Sequence, residues 1–242
     1  MKKIISLSLI LLASVIVFAQ KKVINDANAE ARTINGSFHA IKVSDAIDLY
    51  LTQGNEEAVA VSASTTEYRN KIKTTVENGV LKIWFDDNNK WWKNGNNRKM
   101  KAYVSFKNID KLNASGASDI YLNSEIKADE LELDLSGASD FKGGVINANS
   151  LKVEISGASD VTLTGGKVTS LSIDASGASE FKGYDLTTDN CNAEASGASD
   201  ISVTVNVELN ARASGASGIR YKGDGKIRDL KSSGASSVSR KG

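Results

Sequence analysis

Leu131-Glu132-Leu133-Asp134-Leu135-Ser136-Gly137-Ala138-Ser139-Asp140-Phe141 is an alternating segment that runs into a bend of small residues. Its first five positions switch strictly between apolar and polar, the period of a strand buried on one face. The pattern returns as Leu151-Lys152-Val153-Glu154-Ile155, as Leu171-Ser172-Ile173-Asp174-Ala175, and more weakly from Cys191 and Leu209, each run followed by Ser-Gly-Ala-Ser. That tetrapeptide starts at Ser115, Ser136, Ser156, Ser176, Ser196, Ser214 and Ser233, with spacings of 21, 20, 20, 20, 18 and 19 residues. Self-similarity at a near-constant period marks a solenoid, in which one unit stacks on copies of itself.

A second apolar column follows each bend: Ile120, Phe141, Val161, Phe181, Ile201, Ile219 and Val238. Each turn of chain therefore offers two inward-facing stretches separated by a bend containing glycine. Coils about 4.8 Å apart would make seven of them span roughly 34 Å. Leucine-rich repeats share this period but need a Leu-x-x-Leu-x-Leu and Asn signature, and Ca²⁺-binding β-rolls need nine-residue Gly- and Asp-rich units; neither occurs here. The expected fold is all-β: a right-handed parallel β-helix of about 20 residues per coil with an N-terminal β-rich capping region.

In the bend, Gly permits positive φ or a close approach of coils, Ala and Ser fit a tight corner, and stacked hydroxyls can bond from coil to coil. A row of nucleophilic serines would need a base, and the one histidine, His39, is remote in sequence and reads as a surface side chain. Asp119, Asp140, Asp160, Glu180 and Asp200 form an acidic column after the bends. Like charges in a row repel, so the column should be solvated or neutralised, with Lys142, Lys182 and Lys222 nearby. A Ca²⁺ row is conceivable there, although Ca²⁺ takes six to eight oxygens. No cofactor or metal site is expected.

At the start of the chain, Lys2 and Lys3 precede an apolar run from Ile4 to Phe18, and Val17-Phe18-Ala19 precedes Gln20. This reads as a signal peptide over residues 1–19, hence an exported protein with no membrane insertion once it is cleaved. The 30 basic and 29 acidic residues give a formal charge of +1, which supplies no electrostatic case for nucleic acid. The single Cys191 stands in the Leu131, Leu151 and Leu171 column and reads as a buried hydrophobe.

The remaining chain divides near Asp110, with residues 20–110 as the capping part and 111–242 as the seven-repeat β-helix. Residues 65–71 read as one helical turn capped by Thr65 or Thr66, and Glu77-Asn78-Gly79 as a hairpin turn. Residues 86–99 read as a long hairpin loop, rich in Asn and basic residues, that holds Trp91 and Trp92. Those two rings with Asn94 and Asn96 are the candidate ligand contact, since aromatic faces beside amides suit stacking on sugars. Trp84 reads as strand packing.

Phe38/Ile41/Val43, Ile47-Asp48-Leu49-Tyr50-Leu51-Thr52-Gln53-Gly54, Asn78-Gly79-Val80-Leu81-Lys82-Ile83 and the Ser-Gly-Ala-Ser series together resemble the head GIN domain of auto-transporter adhesins, over about residues 38–223. The resemblance implies a right-handed parallel β-helix, exported by a Gram-negative bacterium, with no established enzymatic activity. Only Arg240-Lys241-Gly242 follow the last strand, so no translocator barrel is expected after it. The expected function is that of a non-catalytic binding or adhesin-like protein in the periplasm, at the surface or secreted. Its partner would be a glycan or a cell-surface protein, with self-association through the solenoid end. The alternatives are a polysaccharide lyase or hydrolase on a β-helix, or a purely structural envelope protein.

Overall fold

The computed structural model describes residues 26–86, 98–122 and 124–241. Strand makes up 62% of the described residues and helix about 3%, in a β-solenoid of about six turns with about 20 residues per coil. The leader read at residues 1–19 lies outside the described residues. The N-terminal elements are β1 (Glu30–Arg32), β2 (Ala40–Val43), β3 (Asp48–Gln53), β4 (Ala58–Ser62), helix α1 (Thr66–Lys71), β5 (Ile72–Glu77), β6 (Val80–Phe85), β7 (Lys101–Phe106), β8 (Lys111–Ala114) and β9 (Ile120–Leu122). The repeats continue through β10 (Glu125–Leu135), β11 (Phe141–Lys142), β12 (Val145–Ile155), β13 (Asp160–Thr162) and β14 (Gly165–Ala175). They end with β15 (Glu180–Ala195), β16 (Asp200–Ala213), β17 (Gly218–Lys222), β18 (Lys226–Ser232) and β19 (Ser237–Arg240).

The apolar columns stack in parallel register as their spacing requires. Leu131 pairs with Leu151, Leu151 with Leu171 and Leu171 with Cys191, and all four are buried. Phe141, Val161, Phe181 and Ile201 form the second buried column. A third inward stretch, not anticipated, leads into each long strand: Ile126 pairs with Ile146, and Val168 is buried on the next coil. The sequence hides it because glycines and half-exposed alanines dilute the alternation there.

The Ser-Gly-Ala-Ser bends form a corner ladder of backbone. Each glycine has positive φ, and a Cβ on Gly157 (φ +79) would stand 2.4 Å from the carbonyl oxygen of Gly137. That same oxygen accepts the Ala158 N–H at 2.8 Å, so the close approach is itself a hydrogen bond of the ladder. The second serine of the first six bends is buried, and its hydroxyl bonds backbone; in the last bend Ser236 is half-buried and its hydroxyl also meets that of Ser232 at 2.9 Å. Ser159 Oγ accepts the Ser139 N–H at 3.1 Å, while Ser199 Oγ donates to the carbonyls of Ala175 and Ser196 at 2.9 and 2.8 Å.

The solenoid begins earlier than the tetrapeptide does, and out of chain order. β2 lies between β6 and β8, and β3 between β7 and β9, all parallel. The coil first in sequence is thus sandwiched between two later ones. Its corner is Ser44-Asp45-Ala46-Ile47, in register with Ser115-Gly116-Ala117-Ser118, and Asp45 takes the glycine's place at φ 65. Aspartate tolerates that region better than most residues.

Antiparallel strands cover the β6–β7 end. β5 pairs with β6 through the expected Asn78-Gly79 turn, β4 pairs with β7, and β1 with β4. Thr65 is the N-cap of α1, its hydroxyl accepting the Tyr68 N–H at 3.2 Å. Because β6 and β7 pair with other strands and not with each other, residues 86–99 do not close a hairpin. Residues 87–97, between these strands, lie outside the described residues. Trp84 is half-exposed opposite Lys73 rather than in the core.

Candidate functional site

The outward positions just after the corners carry a strip of chemistry that the scaffold does not need. Three half-buried tyrosines stack along the solenoid axis: Tyr103 on β7, Tyr50 on β3 and Tyr121 on β9. Their centroids are 5.1 and 4.9 Å apart and their planes tilt by 24° and 12°. Parallel pairing of β3 with β7 and β9 puts the three rings in one row. The two contacts occupy both faces of Tyr50 and one face each of Tyr103 and Tyr121, so the row offers mainly ring edges and hydroxyls to solvent. The Tyr103 hydroxyl donates to Asp26 at 2.8 Å and that of Tyr121 to Asp119 at 3.2 Å. Burial, followed by the Asp26 hydrogen bond, holds the Tyr103 phenol protonated well above its usual range.

Beside the row run the acids. Asp48 stands one position before Leu49, in register with Asp119, and so extends the expected column by one coil. Most of that column is committed to structure: Asp119, Asp140 and Asp160 each accept the N–H of the next acidic residue at 3.0–3.2 Å. Lys142 bridges Asp119 and Asp140 at 2.6 and 3.1 Å, Lys182 pairs with Glu180 at 2.8 Å, and Arg220 with Asp200 at 3.2 Å. Burial pulls the Lys142 ammonium down, but its two carboxylate bonds outweigh that and leave it raised. Lys222, expected to help neutralise the row, lies over the Tyr184 ring at 4.6 Å instead.

Asp48 is the exception. Among the described residues its carboxylate has no hydrogen bond or ion pair, and burial, then the Asp119 charge, raises its pKa. Lys101, opposite it on β7, places its ammonium 5.7 Å from the Tyr50 centroid. Asp48, Tyr50, Tyr103 and Tyr121 are the residues that sequence reasoning missed as a site. The signal was there in Asp48-Leu49-Tyr50 and Asp119-Ile120-Tyr121, the same tripeptide pattern on neighbouring coils.

Trp91, Trp92, Asn94 and Asn96 lie outside the described residues. The ends of their segment are placed: the Asp86 N–H donates to Lys71 O at 2.9 Å, and Ser64 N–H to Arg98 O at 2.8 Å. The Arg98 guanidinium lies 4.9 Å from the Phe85 ring centre and 5.5 Å from that of Tyr68. The described chain therefore stops at Asp86 and resumes at Arg98 at the covered end, three residues before the Lys101 that flanks the strip.

Other candidates resolve into scaffold. Cys191 is buried and its thiol is pushed up to about 12 by that burial. His39 is exposed, with Nδ1 2.8 Å from an Asp110 carboxylate oxygen. Among the described residues no group of three or more His, Cys, Asp or Glu could hold a metal ion, and no helix is long and apolar enough to cross a membrane.

Residues 37–225 match the family model described as "Putative auto-transporter adhesin, head GIN domain". A crystal structure of a putative adhesin from Bacteroides fragilis is similar, with a TM-score of 0.80 at 19% identity over 88% of this chain and 96% of that one. A putative adhesin from Parabacteroides merdae superposes with a TM-score of 0.64 at 18% identity over 90% and 98% of the two chains. A putative lipid binding protein from Parabacteroides distasonis does so with 0.62 at 24% identity, over 90% and 98%. At these identities the likeness is one of fold. No curated protein matches the chain.

Proposed function

This chain belongs to the head GIN domain family of auto-transporter adhesins, and from that premise we propose that it is an exported, non-catalytic protein that binds glycans. The observation that carries the reading is Asp48: a half-buried carboxylate left without a partner among the described residues, beside a row of tyrosine hydroxyls and edges. Sugar hydroxyls are both donors and acceptors, and carboxylates with phenols satisfy them in kind. Both faces of Tyr50 and one each of Tyr103 and Tyr121 are spent on stacking, so we assign stacking on a sugar ring to Trp91 and Trp92, in the segment between Asp86 and Arg98. The parallel sheet repeats its chemistry along one axis, which suits an extended polymer. Export is supported by the leader-like residues 1–19 and by the family's name.

The raised pKa of Asp48 beside Asp119 also favours a second reading, a polysaccharide-active enzyme, because such enzymes pair an acid with a carboxylate. Against it, Asp119 is already committed to Asp140 N–H, Tyr121 and Lys142. A glycan array of the wild type against Trp91→Ala/Trp92→Ala and Asp48→Asn variants tests both. Binding lost in the variants with no fall in melting temperature supports the proposal. Equal binding by all three removes it, and glycan breakdown by the wild type that stops in Asp48→Asn moves the assignment to the enzyme.

A further inference from the structure

One end of the solenoid is covered and the other is not. At the β6–β7 end, β5, β4 and β1 occupy the strand edges, whereas among the described residues no strand lies outside β18 and β19. β18 is exposed at almost every position, and its inward residues Ile227 and Leu230 are 38% and 47% exposed where their counterparts Leu209 and Ala211 are fully buried. An open edge with apolar side chains beside it is a template for another strand.

We propose that this edge pairs with the same edge of a second copy, antiparallel, about a two-fold axis through Leu230. Three observations on β18 select that occupant and that register. First, the Ser233 N–H donates inward to Ala213 O at 3.0 Å. Alternation along a parallel strand then turns the free backbone groups of Leu230 and Ser232 outward, where two copies can exchange hydrogen bonds. Second, Leu230 on the axis meets its own copy on the apolar side of the sheet. Third, the charges self-complement: Asp229 of each copy falls opposite Lys231 of the other, twice by symmetry. An axis moved by one residue would set Asp229 against Asp229 or Lys231 against Lys231. The neighbouring Arg228 does not oppose the pairing, since Glu208 binds it at 3.0 Å. A head-to-tail stack finds the covered end already occupied by antiparallel strands, so the closed two-fold dimer is the form that results.

The test is sedimentation equilibrium of the full chain across a wide concentration range, with circular dichroism to verify the fold of each variant. The wild type should approach twice its monomer mass. Asp229→Lys and Lys231→Asp, each placing like charges across the axis, should weaken dimerisation at least about tenfold, and the double exchange should restore it. Leu230→Asp should give monomer. A wild type that stays monomeric, single variants that dimerise as the wild type does, or a double exchange no better than the single variants would each overturn the proposal.

Discussion

A methyl group on Gly157 would stand 2.4 Å from Gly137 O, and its φ of +79 is a region that L side chains avoid. Gly157→Ala should therefore cost about 2 kcal/mol or more in chemical denaturation, while Ala158→Ser on the exposed neighbour should stay within about 0.5 kcal/mol. Asp48 makes a pH prediction. Its folded pKa lies above the ordinary 3.8, so its protonated form is favoured by folding. That stabilising contribution is complete below the unfolded value and is lost as pH rises through the raised folded one. Asp48→Asn should accordingly melt higher than the wild type at pH 7, with the difference vanishing toward pH 3; a destabilised variant at pH 7 would mean the carboxylate makes a bond that holds the fold. Asp174, raised by burial and by the Glu194 and Glu154 charges, should behave likewise in Asp174→Asn without affecting glycan binding. The glycine's role was legible in the bend itself, whereas the state of the acids was not legible from residue types alone. The acidic column was visible, but which member lacks a partner depends on where Lys142, Lys182 and Arg220 point.

At the scale of single elements, the corner and the columns carry the fold. Leu151 is fully buried between Leu131 and Leu171, so Leu151→Ala should cost about 2–5 kcal/mol. Ser159→Ala should cost about 1–3 kcal/mol, because it strips the Ser139 N–H of its acceptor in a buried corner. Urea unfolding of each variant measures both, and a loss under about 0.5 kcal/mol for either would place that residue outside the core. The strands of the repeats were legible because alternation and period agree, which is what makes a repeat sequence consistent across levels. The early corner was overlooked because Asp45 stands where later corners have glycine. Ser44-Asp45-Ala46-Ile47-Asp48-Leu49 nonetheless keeps the serine, alanine, acid and apolar places of Ser-Gly-Ala-Ser-Asp-Ile. The short spacing of 18 residues between Ser196 and Ser214 has its own cause: Gly183 and Thr187 pair with the adjacent Val203 and Thr204, so that coil is tighter than the one before it.

For the whole molecule, sequence periodicity could not show that β2 and β3 slot between later coils, since stacking order is set by which edges remain free once β4 and β5 have turned back antiparallel. That arrangement is what brings Tyr103, Tyr50 and Tyr121, far apart in the chain, into one row beside Asp48. If the row is the glycan-binding surface, occupancy must register on those rings. The chain has six tyrosines, so ¹³C-labelled tyrosine NMR, assigned by single Tyr→Phe variants, can follow each one while an oligosaccharide retained by the wild type on the array is titrated in. The ring signals of Tyr50, Tyr103 and Tyr121 should shift together along one saturable curve, with those of Tyr68, Tyr184 and Tyr221 unmoved. Shifts confined to Tyr184 or Tyr221, or saturable binding with no tyrosine signal moving, would contradict the account.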